Sequence, residues 1–172
     1  THHHPQALAG ALAQAWGVRL ACLLGQAGHA PQQDVLVEEV AARVHNLDPH
    51  TAARLRDMPP LPRGQEEEAR RLLLQTYACD LRAAESVPAA LGAFLAAQSA
   101  PQAVVLAVSL GGDTDTIGAM AGAMAGAYWG WQGWPHIWEA GLENGEKGKD
   151  YALFLCQVIC GQKAVDEPIP DC

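Results

Sequence analysis

Basic residues are scarce in this chain of 172 residues, which has 11 Lys and Arg against 19 Asp and Glu and a net charge of −8. A surface that binds nucleic acid needs clustered Lys and Arg to contact the phosphates, so direct binding of DNA or RNA is not expected. Disorder is not expected either, because 49% of the residues are hydrophobic. The length predicts one domain with its own core.

The sequence also lacks a Cys-x-x-Cys pair and a long apolar run. Its five cysteines are odd in number and widely spaced, which favours reduced thiols in an intracellular protein over a disulfide scaffold. Cys156 and Cys160, four residues apart on a predicted helix, leave a metal pair as an alternative. The longest stretch without polar residues, 117–131, is shorter than the roughly 20 residues that cross a bilayer. No membrane span or leader is predicted, although the chain begins with Thr1 rather than Met, which suggests a fragment.

Apolar residues recur at helical spacing along most of the chain. Prolines concentrated in 46–64 predict a loop there, and Pro88 is expected to end one helix and begin the next. The apolar stretch 103–110 is compatible with a strand as well as a helix. The expected helices begin at Pro5 (to Gly25), Asp34, Gln65 (to Ala84), Pro88 (to Gln98) and Asp150 (to Gly161).

The most informative segment is 111–130, GGDTDTIGAMAGAMAGAYWG. Asp113 and Asp115 stand at the start of a predicted helix, and the hydroxyl of Thr116 follows directly. Carboxylates and a hydroxyl at this spacing are hard oxygen donors of the kind that Mg²⁺ prefers. The same short string also suits an acidic helix start without any ligand, which is its commoner role.

Gly118, Gly122, Gly126 and Gly130 recur every fourth residue behind this cluster. Each glycine inside a helix costs roughly 0.5–1 kcal/mol relative to alanine. Close packing against other helices would offset that cost, so we expect this helix at the centre of a bundle. The carboxylates at its start would then be partly buried, where a metal ion would neutralise them.

The segment resembles the C-terminal signature of the ADP-ribosylglycohydrolase family. Glu85-Ser86-Val87-Pro88 and the opening Thr1-His2 resemble two further segments of that family. Within it, the chain is most similar to the animal type that removes ADP-ribose from serine and degrades poly(ADP-ribose). The resemblance implies an all-α fold, an orthogonal multi-helix bundle around the glycine-rich helix. It also implies that residues 1–172 are the C-terminal part of a single larger domain.

The resemblance implies a reaction and a site as well. Asp113, Asp115 and Thr116 match metal ligands of a site with two Mg²⁺ ions, His2 matches a histidine that contacts ADP-ribose, and Leu81 corresponds loosely to an apolar residue against the adenosine. The implied reaction is Mg²⁺-dependent hydrolysis of O-glycosidic ADP-ribose linkages. The Thr-Asp-Asp cluster that completes the family's site has no match in this sequence, so the chain alone is expected to have little activity.

Partners implied by the resemblance are ADP-ribosylated proteins and free ADP-ribose, in the nucleus, the cytoplasm or mitochondria. A complete protein would be a monomer, whereas a fragment with exposed apolar surface would self-associate. Two alternatives stay open. One is a phosphohydrolase of the haloacid dehalogenase type, with Asp113 as nucleophile after an apolar strand and Asp115 as acid/base. The other is an ADP-ribose-binding module without catalysis.

Overall fold

The computed structural model describes residues 3–161, and within them every regular element is helical. This confirms the predicted all-α class. The chain divides into two compact units, residues 1–133 and 134–172. The α-helices of the described residues are α1 (Pro5–Ala27), α2 (Gln33–Val44), α3 (Pro49–Arg56), α4 (Glu66–Thr76), α5 (Ala83–Ala96), α6 (Ala100–Ser109), α7 (Thr114–Trp129), α8 (His136–Ala140) and α9 (Lys149–Ile159).

Helix α7 lies at the centre of the first unit, where it packs against α1, α5 and α6. Helix α1 runs parallel to it: the Nε2 of Gln14 donates to the carbonyl of Met120 at 3.0 Å, and further along Gly25 lies against Tyr128. Helix α5 also runs parallel to α7. Phe94, near the C-terminal end of α5, has its ring centre 5.8 Å from that of Tyr128, near the C-terminal end of α7. The starts of α1, α5 and α7 therefore lie at one end of this unit.

Gly118 allows α7 to pack closely against α6, as expected, whereas Gly122 lies at ordinary contact distance from it. A Cβ on Gly118 would lie 2.8 Å from a methyl carbon of Val108, and one on Gly122 would lie 3.4 Å from a methyl carbon of Val104. Gly130 has another role, because with φ of 72° it ends the helix. The prediction of a central glycine-rich helix is confirmed.

Helix α1 buries small residues rather than leucines. The leucine spacing predicted the helix correctly, but Leu8 and Leu23 are nearly half exposed. A Cβ on Gly25 would lie 2.2 Å from the carbonyl oxygen of Tyr128, so only a side chain of minimal size lets the two helices approach this closely. The buried residues of α1 are Ala9, Gly10, Ala13, Gly17 and Ala21.

The length and composition of α1 would also allow it to cross a membrane. It has 23 residues and a mean hydropathy of 1.5, although the sequence analysis predicted no span. In the structure α1 packs against α2, α5 and α7, and 28% of its most apolar window is buried.

Prolines begin helices in two stretches, of which only the first differs from the sequence prediction. The predicted loop 46–64 contains α3, where Pro49 occupies the first turn and Asp48 accepts a hydrogen bond from the Thr51 amide at 3.0 Å. The stretch 103–110 was compatible with a helix or a strand and is helical: α6 covers Ala100–Ser109, with Pro101 in its first turn. The haloacid dehalogenase alternative needs a strand before Asp113, so its structural premise is wrong.

The prediction of a break at Pro88 is wrong as well. Helix α4 ends at Thr76, well before Ala84, and Pro88 lies inside α5. A proline there removes one helical hydrogen bond, but Pro88 is fully buried, and its packing in the core outweighs that local preference. The chain breaks instead at residues 77–82, which connect α4 to α5.

The second unit is described from Trp134 to Gly161. Asn144 and Asp150 exchange hydrogen bonds of 2.9 and 2.8 Å and thereby fix the start of α9. Helix α9 confirms the helix predicted from Asp150. Cys156 and Cys160 are both exposed on it or at its end, and no group of three metal-ligating His, Cys, Asp or Glu side chains includes them among the described residues.

Candidate metal site at the start of helix α7

A tight turn of two glycines presents the candidate site. Gly111 and Gly112 have φ of 74° and 68°, in the left-handed region that favours glycine. A Cβ on Gly112 would lie 2.0 Å from the carbonyl oxygen of Cys79. The next amide, that of Asp113, donates to the same carbonyl at 2.9 Å. The turn is therefore held against the connection between α4 and α5.

Asp113, Asp115 and Thr116 project from the first turn of α7. The Thr116 amide donates to the Asp115 carboxylate at 2.9 Å. This hydrogen bond lowers the pKa of Asp115. Asp113 and Asp115, two residues apart at the start of one helix, place two negative charges near each other, which a proton or a cation would neutralise. This donor set, two adjacent carboxylates with a hydroxyl beside them, fits a hard divalent cation.

The expected burial of the carboxylates is only half correct. Asp113 is half-buried, but Asp115 and Thr116 are exposed. The start of α7 lies at the surface of the described structure because only its following residues, from Ile117 onward, enter the core. A cation here would offset the repulsion between two neighbouring negative charges rather than the cost of burying them.

Within residues 3–161, no group of three or more His, Cys, Asp or Glu side chains is arranged to hold a metal ion. The described part of the chain accordingly offers two carboxylates and one hydroxyl. A six-oxygen Mg²⁺ shell built on them would be completed by water or by groups outside the described residues.

Leu81 lies in the connection 77–82 and is 84% exposed. It follows Cys79 by two residues, and Cys79 is the residue whose carbonyl binds the Asp113 amide. The structure therefore brings Leu81 to the same end of the bundle as the carboxylates. A large apolar side chain this exposed is free to pack against a flat ring of a ligand.

His2 lies outside the described residues. The nearest described histidine with a defined contact is His4, whose Nδ1 accepts from the Gln6 amide at 3.3 Å and so caps α1. Helix α1 starts at the same end as α7. Four of the five predicted site residues are thus described, and they lie at one end of the first unit.

The residues that hold this end together were not predicted from the sequence. Glu85 was noted only as part of a resemblance, yet it is buried and binds Arg54 and the backbone of residue 78. Cys79 takes φ of 54°, an unusual value for a residue with a side chain. A glutamate inside the otherwise apolar stretch 83–96 is the signal that could have pointed to a buried ion pair.

Comparison with known proteins agrees with the sequence resemblance. A sequence model described as ADP-ribosylglycohydrolase matches residues 1–164. ADP-ribosylhydrolase ARH3 of cattle is 35% identical over 106 residues, 55% of this chain and 29% of the relative. Human ARH3 is 39% identical over 90 residues, 46% of this chain and 25% of the relative. The Escherichia coli protein YegU, described as uncharacterized, is 35% identical over 144 residues, 76% of this chain and 40% of the relative. The matched segments span less than half of each relative.

Proposed function

This chain belongs to the ADP-ribosylglycohydrolase family and is similar to its ARH3 type, and from that premise we propose that it supplies the C-terminal, metal-binding part of a Mg²⁺-dependent ADP-ribosylhydrolase. The proposed reaction is hydrolysis of the O-glycosidic bond between ADP-ribose and its acceptor. One observation carries the proposal: Asp113, Asp115 and Thr116 lie together at the start of α7, at the end of the bundle where Leu81 is exposed.

Each group has a proposed role. Asp113, Asp115 and the Thr116 hydroxyl would hold Mg²⁺, with two ions in the complete site. A divalent ion there would supply positive charge beside the ribose and the attacking water. Leu81 would pack against the adenosine, and His2 would contact the ADP-ribose. The Gly111–Gly112 turn, which carries no side chains, would leave room for the ligand to approach the backbone.

The proposed substrates are ADP-ribose on serine residues of proteins, poly(ADP-ribose) and O-acetyl-ADP-ribose. These substrates are inferred from the similarity to the ARH3 type alone. The proposed location is inside the cell, in the nucleus, the cytoplasm or mitochondria.

Metal titration tests the proposed site directly. Mn²⁺, whose EPR signal falls on binding, replaces Mg²⁺ as the probe. We expect Asp115→Asn to weaken Mn²⁺ binding by about tenfold or more, because one of two charged ligands is lost. The matched control is Asp34→Asn, another exposed aspartate in the first turn of a helix. Equal weakening by both substitutions, or no Mn²⁺ binding to the parent protein, would contradict the site.

Activity is expected to be low for this chain by itself. The Thr-Asp-Asp cluster that completes the site in the family has no counterpart in the sequence. The assay incubates the purified protein with Mg²⁺ and a peptide carrying ADP-ribose on serine. Turnover close to that of a full-length relative would contradict this expectation.

A second candidate function is an ADP-ribose-binding module without catalysis. It is favoured by the small donor set of the described residues, which provide two carboxylates and no larger ligand group. Calorimetric titration with ADP-ribose in the presence of Mg²⁺ separates the two. A dissociation constant in the micromolar range or lower, without turnover, would favour the module. Turnover must also be absent after the N-terminal part of a relative is added.

A further inference from the structure

An ion pair between the partly buried Arg54 and the buried Glu85 lies near the candidate site. Arg54 of α3 donates to both carboxylate oxygens of Glu85 on α5, from Nε at 3.0 Å and from Nη2 at 2.9 Å. The side chains are 19% and 9% exposed. Such a fork of two parallel hydrogen bonds fixes orientation as well as distance. Arg54 and Glu85 therefore join α3 to the start of α5 rigidly.

The same pair holds the connection between α4 and α5. Glu85 accepts a third hydrogen bond, from the Ala78 amide at 2.9 Å, and Arg54 donates to the Thr76 carbonyl at 2.6 Å. The Arg54 guanidinium also lies 5.0 Å from the centre of the Tyr77 ring, and the Tyr77 hydroxyl donates to the Arg54 carbonyl at 3.1 Å. Every residue from 76 to 78 is thus fixed by Arg54, Glu85 or both.

The next residue, Cys79, connects residues 76–78 to the candidate metal site. It is buried with φ of 54°, a conformation that a non-glycine residue adopts only when its surroundings hold it. Its carbonyl accepts from the Asp113 amide at 2.9 Å and touches Gly112 so closely that no side chain fits there. An unbroken series of contacts therefore runs from Arg54 through Glu85, Ala78 and Cys79 to Asp113.

We propose that Arg54 and Glu85 are positioning residues that fix Asp113 in the orientation needed to bind a divalent cation. They touch neither the cation nor the substrate and act through the backbone of residues 78 and 79. This inference rests on the proposed function for its metal, whereas the link from Arg54 to Asp113 is independent of it. Groups that orient metal ligands typically change metal affinity 10- to 100-fold when they are replaced.

The test compares Arg54→Lys with Arg56→Lys in the full chain. Lysine keeps the positive charge but cannot make the two parallel hydrogen bonds to the carboxylate. Arg56 is a close control, since it lies on the same helix and makes a two-pronged pair with Glu38, at 2.8 and 2.7 Å, away from the connection. Two quantities are measured: the Mn²⁺ dissociation constant by EPR, and the hydrogen-exchange rate of the Asp113 amide by NMR, with the Ala121 amide inside α7 as internal reference.

We expect Arg54→Lys to raise the Mn²⁺ dissociation constant about tenfold or more and to speed exchange at Asp113 relative to Ala121. Arg56→Lys should change neither. A purely structural role for the pair would speed exchange at both amides equally, and that result overturns the proposal. So does an unchanged Asp113 amide.

Two outcomes require either a second variant or a different interpretation. If Arg54→Lys does not fold, Glu85→Gln, which keeps the shape and one acceptor oxygen, decides by the same two measurements and is expected to shift both in the same direction. If the parent protein binds no Mn²⁺, the proposed function fails and the metal role of the pair fails with it. Selective exchange at Asp113 would then still support the mechanical link alone.

Discussion

Glu85 carries a negative charge into the interior, and among the described residues it is the one buried charged side chain. Burial by itself raises the pKa of Glu85, because the carboxylate leaves water. The hydrogen bonds from Arg54 and from the Ala78 amide, with the positive charge of Arg54, outweigh this and hold the pKa below its ordinary value. The ionised form is therefore the one that stabilises the fold.

This depressed pKa predicts a pH-dependent stability. Above the ordinary glutamate pKa of about 4.3, the ionised Glu85 contributes its full stabilisation, and the contribution is lost as the pH falls through the lower folded pKa. We expect Glu85→Gln to lower the free energy of unfolding by about 1–3 kcal/mol at pH 7, and by much less at pH 3. Urea denaturation at both pH values measures the difference.

The control for this prediction is Glu38→Gln. Glu38 pairs with Arg56 through similar hydrogen bonds but is exposed, so its substitution should matter less at pH 7. A difference between parent and Glu85→Gln that is the same at pH 3 and pH 7 would show that the charge of Glu85 contributes nothing.

At the scale of the helices, glycines decide how closely α7 can approach its neighbours. On the α1 side the limiting group is backbone, since a Cβ on Gly25 would meet the Tyr128 carbonyl at 2.2 Å. On the α6 side, Gly122 has ordinary contact distance to the end of the Val104 side chain, 3.4 Å. The two glycines therefore serve different purposes although both lie in helices.

This difference predicts opposite effects of the same substitution. Gly25→Ala should lower the free energy of unfolding by about 1–3 kcal/mol, because backbone must move to admit the methyl group. Gly122→Ala should leave it unchanged or raise it by up to about 1 kcal/mol, since alanine favours the helix. Urea denaturation of both variants measures these values. Equal losses for the two would mean that α1 and α7 do not approach each other as described.

The elements differ in how far the sequence could predict them. Helix α7 and its carboxylates were predictable because the glycine spacing and the string Asp113 to Thr116 are local and contiguous. Helix α3 was missed because Pro49 was counted as a loop residue although proline suits a first helical turn. Pro88 was misread because its packing, which overrides its local preference, comes from distant helices. The pair of Arg54 and Glu85 was not predictable, because 31 residues separate them and only the fold brings them together.

At the scale of the whole molecule, exposed apolar side chains predict self-association. Leu8 on α1 and Val105 on α6 are each 45% exposed, and both helices flank α7. Association of two copies would remove these exposed apolar side chains from water. We expect sedimentation velocity to show association that increases with protein concentration.

Replacing Leu8 and Val105 together with Lys should shift the protein towards monomer at the same concentration. The control replaces Leu47 and Leu74 with Lys, which adds the same charge at positions of similar exposure, 43% and 39%. If the control dissociates the protein equally, added charge rather than the flanks of α7 explains the change. A single monomeric species at all concentrations would contradict the prediction altogether.

The parallel pairing of α1 with α7 has a consequence during biosynthesis. Gln14 and its acceptor at Met120 are 106 residues apart, so α1 leaves the ribosome well before the helix with which it pairs. At translation rates of about 5–20 residues per second, that interval is roughly 5–20 s. A nascent apolar helix without its partner for so long is a natural client for chaperones that bind newly made chains.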